Sequence, residues 1–383
     1  VYLAWREIRR SRGRFALGIG AVGLLVFLIL FQQTLLTNLL GFFTGGLANQ
    51  SGDVVVYAAD ARRTLAGSVV PAETVAAVAA VPGVARAGPL YEATFTVRPA
   101  GGRDLVDGVL FGYRLGGPGY PTTVRDGRLP RRDGEGVASA VDAGAGFGLG
   151  EVVTVVPAPG AAPVRIRIVG LGDDLRFSVQ PTVFVSDATF AAARRAANPG
   201  AGAAPVLPSA VTVETAPGAD PEAVARRITA RVAGVEALTR SVAVASAPGV
   251  AATRQSFGVI LGLAFVVVGL VVGFFLVILT VQKAGALALL RAVGAPAGLL
   301  VRAVLTQALV LAAVGSGIGV VLLAAAAVRS SPAFPISVDG PSVAATCAAL
   351  VVLALGAAAV SVRRVLRIDP LQAALGPSVG GLA

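Results

Sequence analysis

Four apolar runs, each long enough to cross a bilayer, frame one long stretch of mixed polar and apolar residues. The first extends from about Phe15 to Leu40 and opens FALGIGAVGLLVFLILF; the second, Phe257 to Val281, carries no charge. The third covers about Ala303 to Val328 and the fourth Ser342 to Val362. A helix rises ~1.5 Å per residue and a hydrocarbon core needs ~20 apolar residues, so all four read as transmembrane helices. Between the first and second the period changes. Short alternating or β-branched runs appear at DVVVY (53–57), TFTV (94–97), EVVTVV (151–156), VRIRIVG (164–170), TVFV (182–185) and AVTVE (210–214), which predicts strands. Helical patches at 71–81, 186–197 and 220–233 are interleaved with them, the last two opening on Ser186 and Asp220 in capping position.

Arginine placement orients these elements, because short cytoplasmic flanks accumulate Lys and Arg. Arg6, Arg9, Arg10, Arg12 and Arg14 precede the first run; Lys283, Arg291 and Arg302 separate the second and third; Arg363, Arg364 and Arg367 follow the fourth. All three flanks are therefore expected inside, with both termini cytoplasmic and the chain multi-pass in the inner or plasma membrane. The fold class expected is an integral membrane α-helical protein of four transmembrane helices with an inserted extracytoplasmic α+β domain of two lobes. Residues 1–14 form a cytoplasmic interfacial helix, 15–46 the first span and its stalk, and 47–250 the outer domain, with a second lobe at about 113–205. Residues 251–281 form the second span and stalk, 282–298 a cytoplasmic connecting helix, 299–328 the third span, 329–341 an outer loop, 342–362 the fourth span and 363–383 a cytoplasmic tail. A secretory signal peptide also begins basic and then apolar, but this run exceeds a signal core and no A-x-A site follows near 45–50, so an uncleaved signal anchor fits better.

Composition narrows the chemistry. Only 14% of the 383 residues are charged, against roughly 25% in soluble domains, and the mean hydropathy is +0.79. The net charge of +11 arises mostly from the cytoplasmic flanks, since residues 53–254 hold 20 arginines and 18 acids. The basic excess is thus topological and calls for no nucleic acid. There is no His, one Cys (Cys347) and one Lys (Lys283, followed by Ala284). Intrachain disulfides are excluded, the common zinc and Ser-His or Cys-His sites have no support, and the Gly-Lys-Ser/Thr phosphate loop cannot be built. No catalytic residue, metal ligand or cofactor is expected in this chain, and any ATP and Mg belong to a partner.

Small residues four apart, Gly258 with Gly262, Gly269 with Gly273 and Gly315 with Gly319, let helices approach closely in lipid. They mark either a dimer seam or packing within one subunit. Gln32, Gln33, Thr34, Thr37 and Asn38 in the first run and Thr306 and Gln307 in the third suit either a substrate path or interhelical hydrogen bonds. Around Trp5, Arg6, Arg9 and Arg10 the N-terminus suits an interfacial helix on anionic lipid. KAGALALLRAVGAPAGLLVRA (283–303) is the sharpest feature. Leu287, Leu289, Leu290 and Val293 give a short helix an apolar face in the segment from Lys283 through Arg291 to Ala295, Gly294 ends it, and Pro296 blocks its continuation. Such a helix is either a docking lever or an amphipathic connector on the membrane surface.

WREIRRSRGRFAL at the start, the domain between spans one and two, LTVQKAGALALLRAVGAPAGLLVRAVLTQALVL and the terminal RIDPLQAAL together resemble the permease subunits of ABC transporters of the MacB, LolC and FtsX-like class, the mechanotransmission family. Gln282-Lys283, ALLRAVGA (288–295) and Gln307 are most similar to its DevC and HrtB-like branch, although Ala286 stands where the commoner pattern has an acidic residue. The resemblance implies a MacB-like outer domain and a homodimer joined to two copies of a separate ABC ATPase, which dock on Lys283 to Ala295. It implies further that ATP hydrolysis there moves the outer domain to export or extract a hydrophobic or amphipathic substrate, with membrane lipid around the helices and a membrane-fusion or other extracytoplasmic partner compatible. The alternative is an FtsX-like regulator that moves an extracytoplasmic partner without transport.

Overall fold

The structure is a computed structural model that describes residues 12–102, 104–201, 204–282, 297–330 and 339–365. Described residues up to Leu36 and from Gln255 to Ser330, with those of the last helix, form one compact unit; Thr37–Arg254 form the other.

The first unit is helical. Its elements are α1 (Arg12–Ala48, whose residues from Thr37 count with the second unit), α6 (Val250–Val281), α7 (Ala297–Val328) and α8 (Gly340–Val365). All four are long and apolar enough to cross a membrane. Each outlasts its apolar run: α1 has 37 residues, ~55 Å at 1.5 Å per residue, against a hydrocarbon core of about 30 Å. Polar side chains such as Gln33, Thr37 and Asn38 leave the backbone ladder of α1 intact, so the helix runs on through them to Ala48. Val22, Val26, Ile29 and Leu30 of α1, Val268, Val272 and Leu276 of α6, Ala308, Leu311 and Ala312 of α7 and Leu350, Ala354 and Ala358 of α8 share one buried cluster.

The second unit is a mixed α+β domain whose ten strands join in one sheet. Its elements are β1 (Val54–Ala58), α2 (Ala72–Ala79), β2 (Val84–Arg98), β3 (Val106–Tyr113), β4 (Val124–Gly127), β5 (Glu135–Ser139), a 3₁₀ turn (Ala140–Ala145), β6 (Val152–Val155), β7 (Val164–Gly172), β8 (Thr182–Ser186), α3 (Asp187–Ala197), β9 (Ala210–Thr215), α4 (Pro221–Arg231), β10 (Val235–Thr239) and α5 (Arg240–Ala245). Both expected caps form: Ser186 Oγ accepts from Thr189 N at 3.1 Å, and Asp220 accepts from Glu222 N and Ala223 N, pairing helix-end donors that would otherwise be orphaned.

Two lobes share the sheet. The first has the order β10-β1-β9-β2, all antiparallel, with α2 after β1 and α4 after β9; this is a split βαβ arrangement. Val54 and Val56 of β1, Val211 and Val213 of β9, Val78 of α2 and Val224 and Ile228 of α4 form its helix-covered core. The second lobe closes on itself. From β2 the ladder passes through β3, β8, β5, β7 and β6 and returns to β2 at Val97↔Val155 and Arg98↔Thr154. This six-stranded ring is filled by Phe95, Leu110, Phe147, Ile166, Ile168, Val183 and Phe190. A third core, including Leu47 of α1, Tyr57, Leu90, Phe111 and Phe184, lies across both lobes.

Candidate functional site

Two expected sites lie outside the described residues: the docking helix at Lys283, Leu287, Leu289, Leu290, Arg291, Val293, Gly294 and Ala295, and the interfacial residues Trp5, Arg6, Arg9 and Arg10. The glycine pairs are described, and they separate into three environments. At Gly315 and Gly319 of α7, an added Cβ would lie 2.7 Å from Cγ1 of Val22 and of Val26 respectively. Gly23 of α1 reciprocates, its own Cβ position falling 2.9 Å from Ile318. This pair is therefore packing inside one subunit. Gly269 and Gly273 of α6 face Leu353 and Ala357 of α8 at 3.5 and 4.0 Å, whereas Gly258 and Gly262 meet nothing within 4 Å. Beside these glycines Val259, Leu263, Val266, Leu270 and Phe274 stand exposed, at the 4-3-4-4 spacing of one helix face.

The polar residues of the spans bond between and within helices. Thr346 Oγ1 on α8 donates to Gln33 Oε1 on α1 at 2.9 Å, and Gln32 Nε2 donates to the Phe257 carbonyl on α6 at 3.4 Å. Thr34 and Thr306 donate to the carbonyls of Leu30 and Arg302 one turn back. Gln307 is buried at 5% exposure.

In the mixed domain, the segments that lead to α1 and α6 meet at a buried knot. Gln50 is fully buried. Its Oε1 accepts from Gly52 N at 2.6 Å and Thr212 Oγ1 at 2.7 Å, and its carbonyl accepts from Arg240 Nη1 at 2.6 Å. Arg240 N donates to the Asp53 carbonyl at 2.8 Å, and the Asp53 carboxylate takes Thr215 N and Oγ1 at 3.0 Å each. No spacing in the sequence signals this knot, since its members are up to 190 residues apart.

Two carboxylates are perturbed. Glu135 is held well below the usual carboxylate range chiefly by the Arg128 guanidinium, which donates twice at 2.8 Å; Arg131 N and Arg132 Nε add to this. Glu92 on β2 is pushed up to about 7 by burial, with Arg194 acting against the shift, and its Oε2 has no hydrogen-bond partner. Below the unfolded value near 4.3 both folded and unfolded forms hold the proton, so burial of Glu92 carries no charge penalty. Between that value and about 7 the folded state binds more protons, and stability falls as pH rises. Glu92→Gln in the detergent-purified chain is expected to leave the melting temperature nearly unchanged at pH 4 and to raise it at pH 8, by an amount corresponding to roughly 1–3 kcal/mol. An equal effect at both pH values would contradict this.

Residues 258–370 match the family described as FtsX-like permease C-terminal. Over 386 aligned residues, 98% of this chain and all of the relative, the sequence is 29% identical to an uncharacterized ABC transporter permease of Mycobacterium tuberculosis, found alike in strains CDC 1551 and H37Rv. Among solved structures the chain is similar to the periplasmic region of MacB from Actinobacillus actinomycetemcomitans, with a TM-score of 0.36 and 10% identity over 51% of this chain and 92% of that one. It is similar also to the extracellular domain of the ABC-type transporter YknZ from Gram-positive bacteria, with a TM-score of 0.34 and 14% identity over 49% and 99%.

Proposed function

We propose that this chain, an ABC transporter permease with an FtsX-like C-terminal region, converts ATP hydrolysis on a separate ATPase subunit into movement of its mixed domain. The FtsX-like match over 258–370 carries the reading, because that stretch includes the whole connection between α6 and α7. In this reading the ATPase docks at Lys283 to Ala295, on the cytoplasmic side with both termini, and the mixed domain stands on the opposite side of the inner or plasma membrane. Two copies of the chain pair with two ATPases. The open surface at Gly258 and Gly262, flanked by exposed apolar side chains, supports a seam for the second copy. ATP and Mg reside on the ATPase, and the cargo is hydrophobic or amphipathic.

Co-expression with each candidate ABC ATPase subunit of the same organism, purification and reconstitution in nanodiscs test the proposal. A stable permease–ATPase complex with ATP turnover well above that of the isolated ATPase is expected. Failure of the two to co-purify, with turnover no higher than the ATPase alone, would overturn it.

A further inference from the structure

We propose that Arg176 fastens the end of α1 to the ring-shaped lobe, so that displacement of this helix is delivered to that lobe through the loop between β7 and β8. The proposal rests on the permease reading, which supplies the displacement, and adds the residues that pass it on.

Loop residues Asp173 to Pro181 wrap the last turns of α1 at backbone distance. Ser178 N donates to the Phe43 carbonyl at 3.1 Å and Val179 N to the Phe42 carbonyl at 2.9 Å; Gly46 N donates to the Arg176 carbonyl at 3.1 Å. Asn49 Nδ2 donates to the Asp174 carbonyl at 2.8 Å. A Cβ at Gly45 would fall 2.3 Å from the Asp174 oxygen, so only glycine permits this approach. To reach these bonds Asp174, Ser178 and Val179 adopt φ of 52°, 51° and 64°, and such values are outliers for a β-branched valine. A loop kept in that conformation is over-determined by its surroundings, and such strain gathers at functional sites.

The Arg176 side chain adds a second hold to these bonds. Its guanidinium lies 4.8 Å from the centre of the Phe42 ring, and its Nη2 and Nε donate to the Asp142 carboxylate at 2.5 and 3.1 Å. Asp142 is 2% exposed and the Arg176 side chain 15%, so the pair is desolvated and forked, the geometry in which such bonds are strongest. One side chain thus links a helix residue, Phe42, to the 3₁₀ turn after β5. The loop itself hangs between β7 and β8, and β5, β7 and β8 all belong to the ring. The Gln50–Arg240 knot, by contrast, ties α1 to the first lobe. The helix end is therefore fastened to each lobe by different residues, and removing the Arg176 side chain loosens only its hold on the second.

The test uses the full permease–ATPase complex. Amide exchange at Ser178 and Val179 is expected to quicken at least tenfold in Arg176→Ala and Asp142→Asn while Thr215 and Ala237 of the first lobe keep their protection; Arg176→Lys is expected to fall between. On a Cys347→Ser background, labels at Ala162→Cys in the ring and Ala230→Cys in the first lobe are expected to change separation on nucleotide addition, and to lose that change in Arg176→Ala with ATP turnover retained. Unchanged exchange in both variants would show that the pair fastens nothing. A full nucleotide response despite quickened exchange would refute transmission, as would loss of first-lobe protection in both variants, which would make Arg176 a general folding residue. Absent ATP turnover in the unsubstituted complex would instead sink the permease reading, and the transmission claim with it, whatever the exchange rates.

Discussion

Gly319→Val takes apart the packing of α1 against α7. An added Cβ at this position meets Val26 Cγ1 at 2.7 Å, Val26 Cβ at 2.8 Å and the Phe27 nitrogen at 3.0 Å, and the last of these is backbone that no rotamer change can move. Lipid tails are as apolar as the side chains they would replace, so helices in a bilayer associate through close packing rather than through water exclusion. Overpacking of this kind typically costs about 1–3 kcal/mol, and adding Gly315→Val, where Val22 lies 2.7 Å away, extends the clash over a full turn. The double variant is expected to lose its folded yield in detergent and to be cut by trypsin between the spans. Gly258→Val is the control, since nothing lies within 4 Å of it: a single chain should fold and melt as before, and only self-association should weaken. Equal damage from Gly258→Val and Gly319→Val would contradict the separation of the glycine surfaces.

Leu290→Asp with Arg291→Glu is expected to release the ATPase. The first change places a carboxylate among Leu287, Leu289 and Val293, the apolar face expected of this segment from its sequence, and a charge buried without a partner costs several kcal/mol or forces the interface open. The second removes a cation that an acidic docking surface would pair. A loss of even 2.8 kcal/mol weakens binding about a hundredfold, so co-purification and stimulated ATP turnover should both disappear while the permease melts normally. Retention of assembly and turnover by this variant would remove the docking site from residues 283–295.

Legibility followed physical scale. Each span is a run of about 20 residues with scarcely a charge, and that signal survives any tertiary context. The strands with β-branched alternation, such as β6, β7 and β9, stand out for the same reason. By contrast β5, EGVAS, is buried along its whole length and has Gly, Ala and Ser at three of its five positions, so it shows neither alternation nor β-branched enrichment. β3 carries Gly108 and Gly112 for a related cause: a Cβ at Gly112 would strike Phe190 of α3 at 2.7 Å. Closure of the ring depends on two residue pairs between β2 and β6, and register of that kind is written in the packing of both strands at once. The glycine spacing in the spans revealed small-residue faces, yet which of them is covered was decided by Val22 and Val26 on a helix about 290 residues earlier in the chain. Arg176 and Asp142, 34 positions apart, look like two ordinary surface charges until the fold buries them together.

Sidedness is the premise beneath the whole cycle, and site-directed thiol labelling tests it directly. With Cys347→Ser as background, a cysteine at Ala162 in the ring lobe and, separately, one at Ala383 would be exposed to a membrane-impermeant maleimide on intact cells. The account predicts that Ala162→Cys is labelled on intact cells and Ala383→Cys only after lysis. Labelling of Ala383→Cys from outside, with Ala162→Cys protected until lysis, would place the mixed domain and the ATPase connection on the wrong sides and contradict the account.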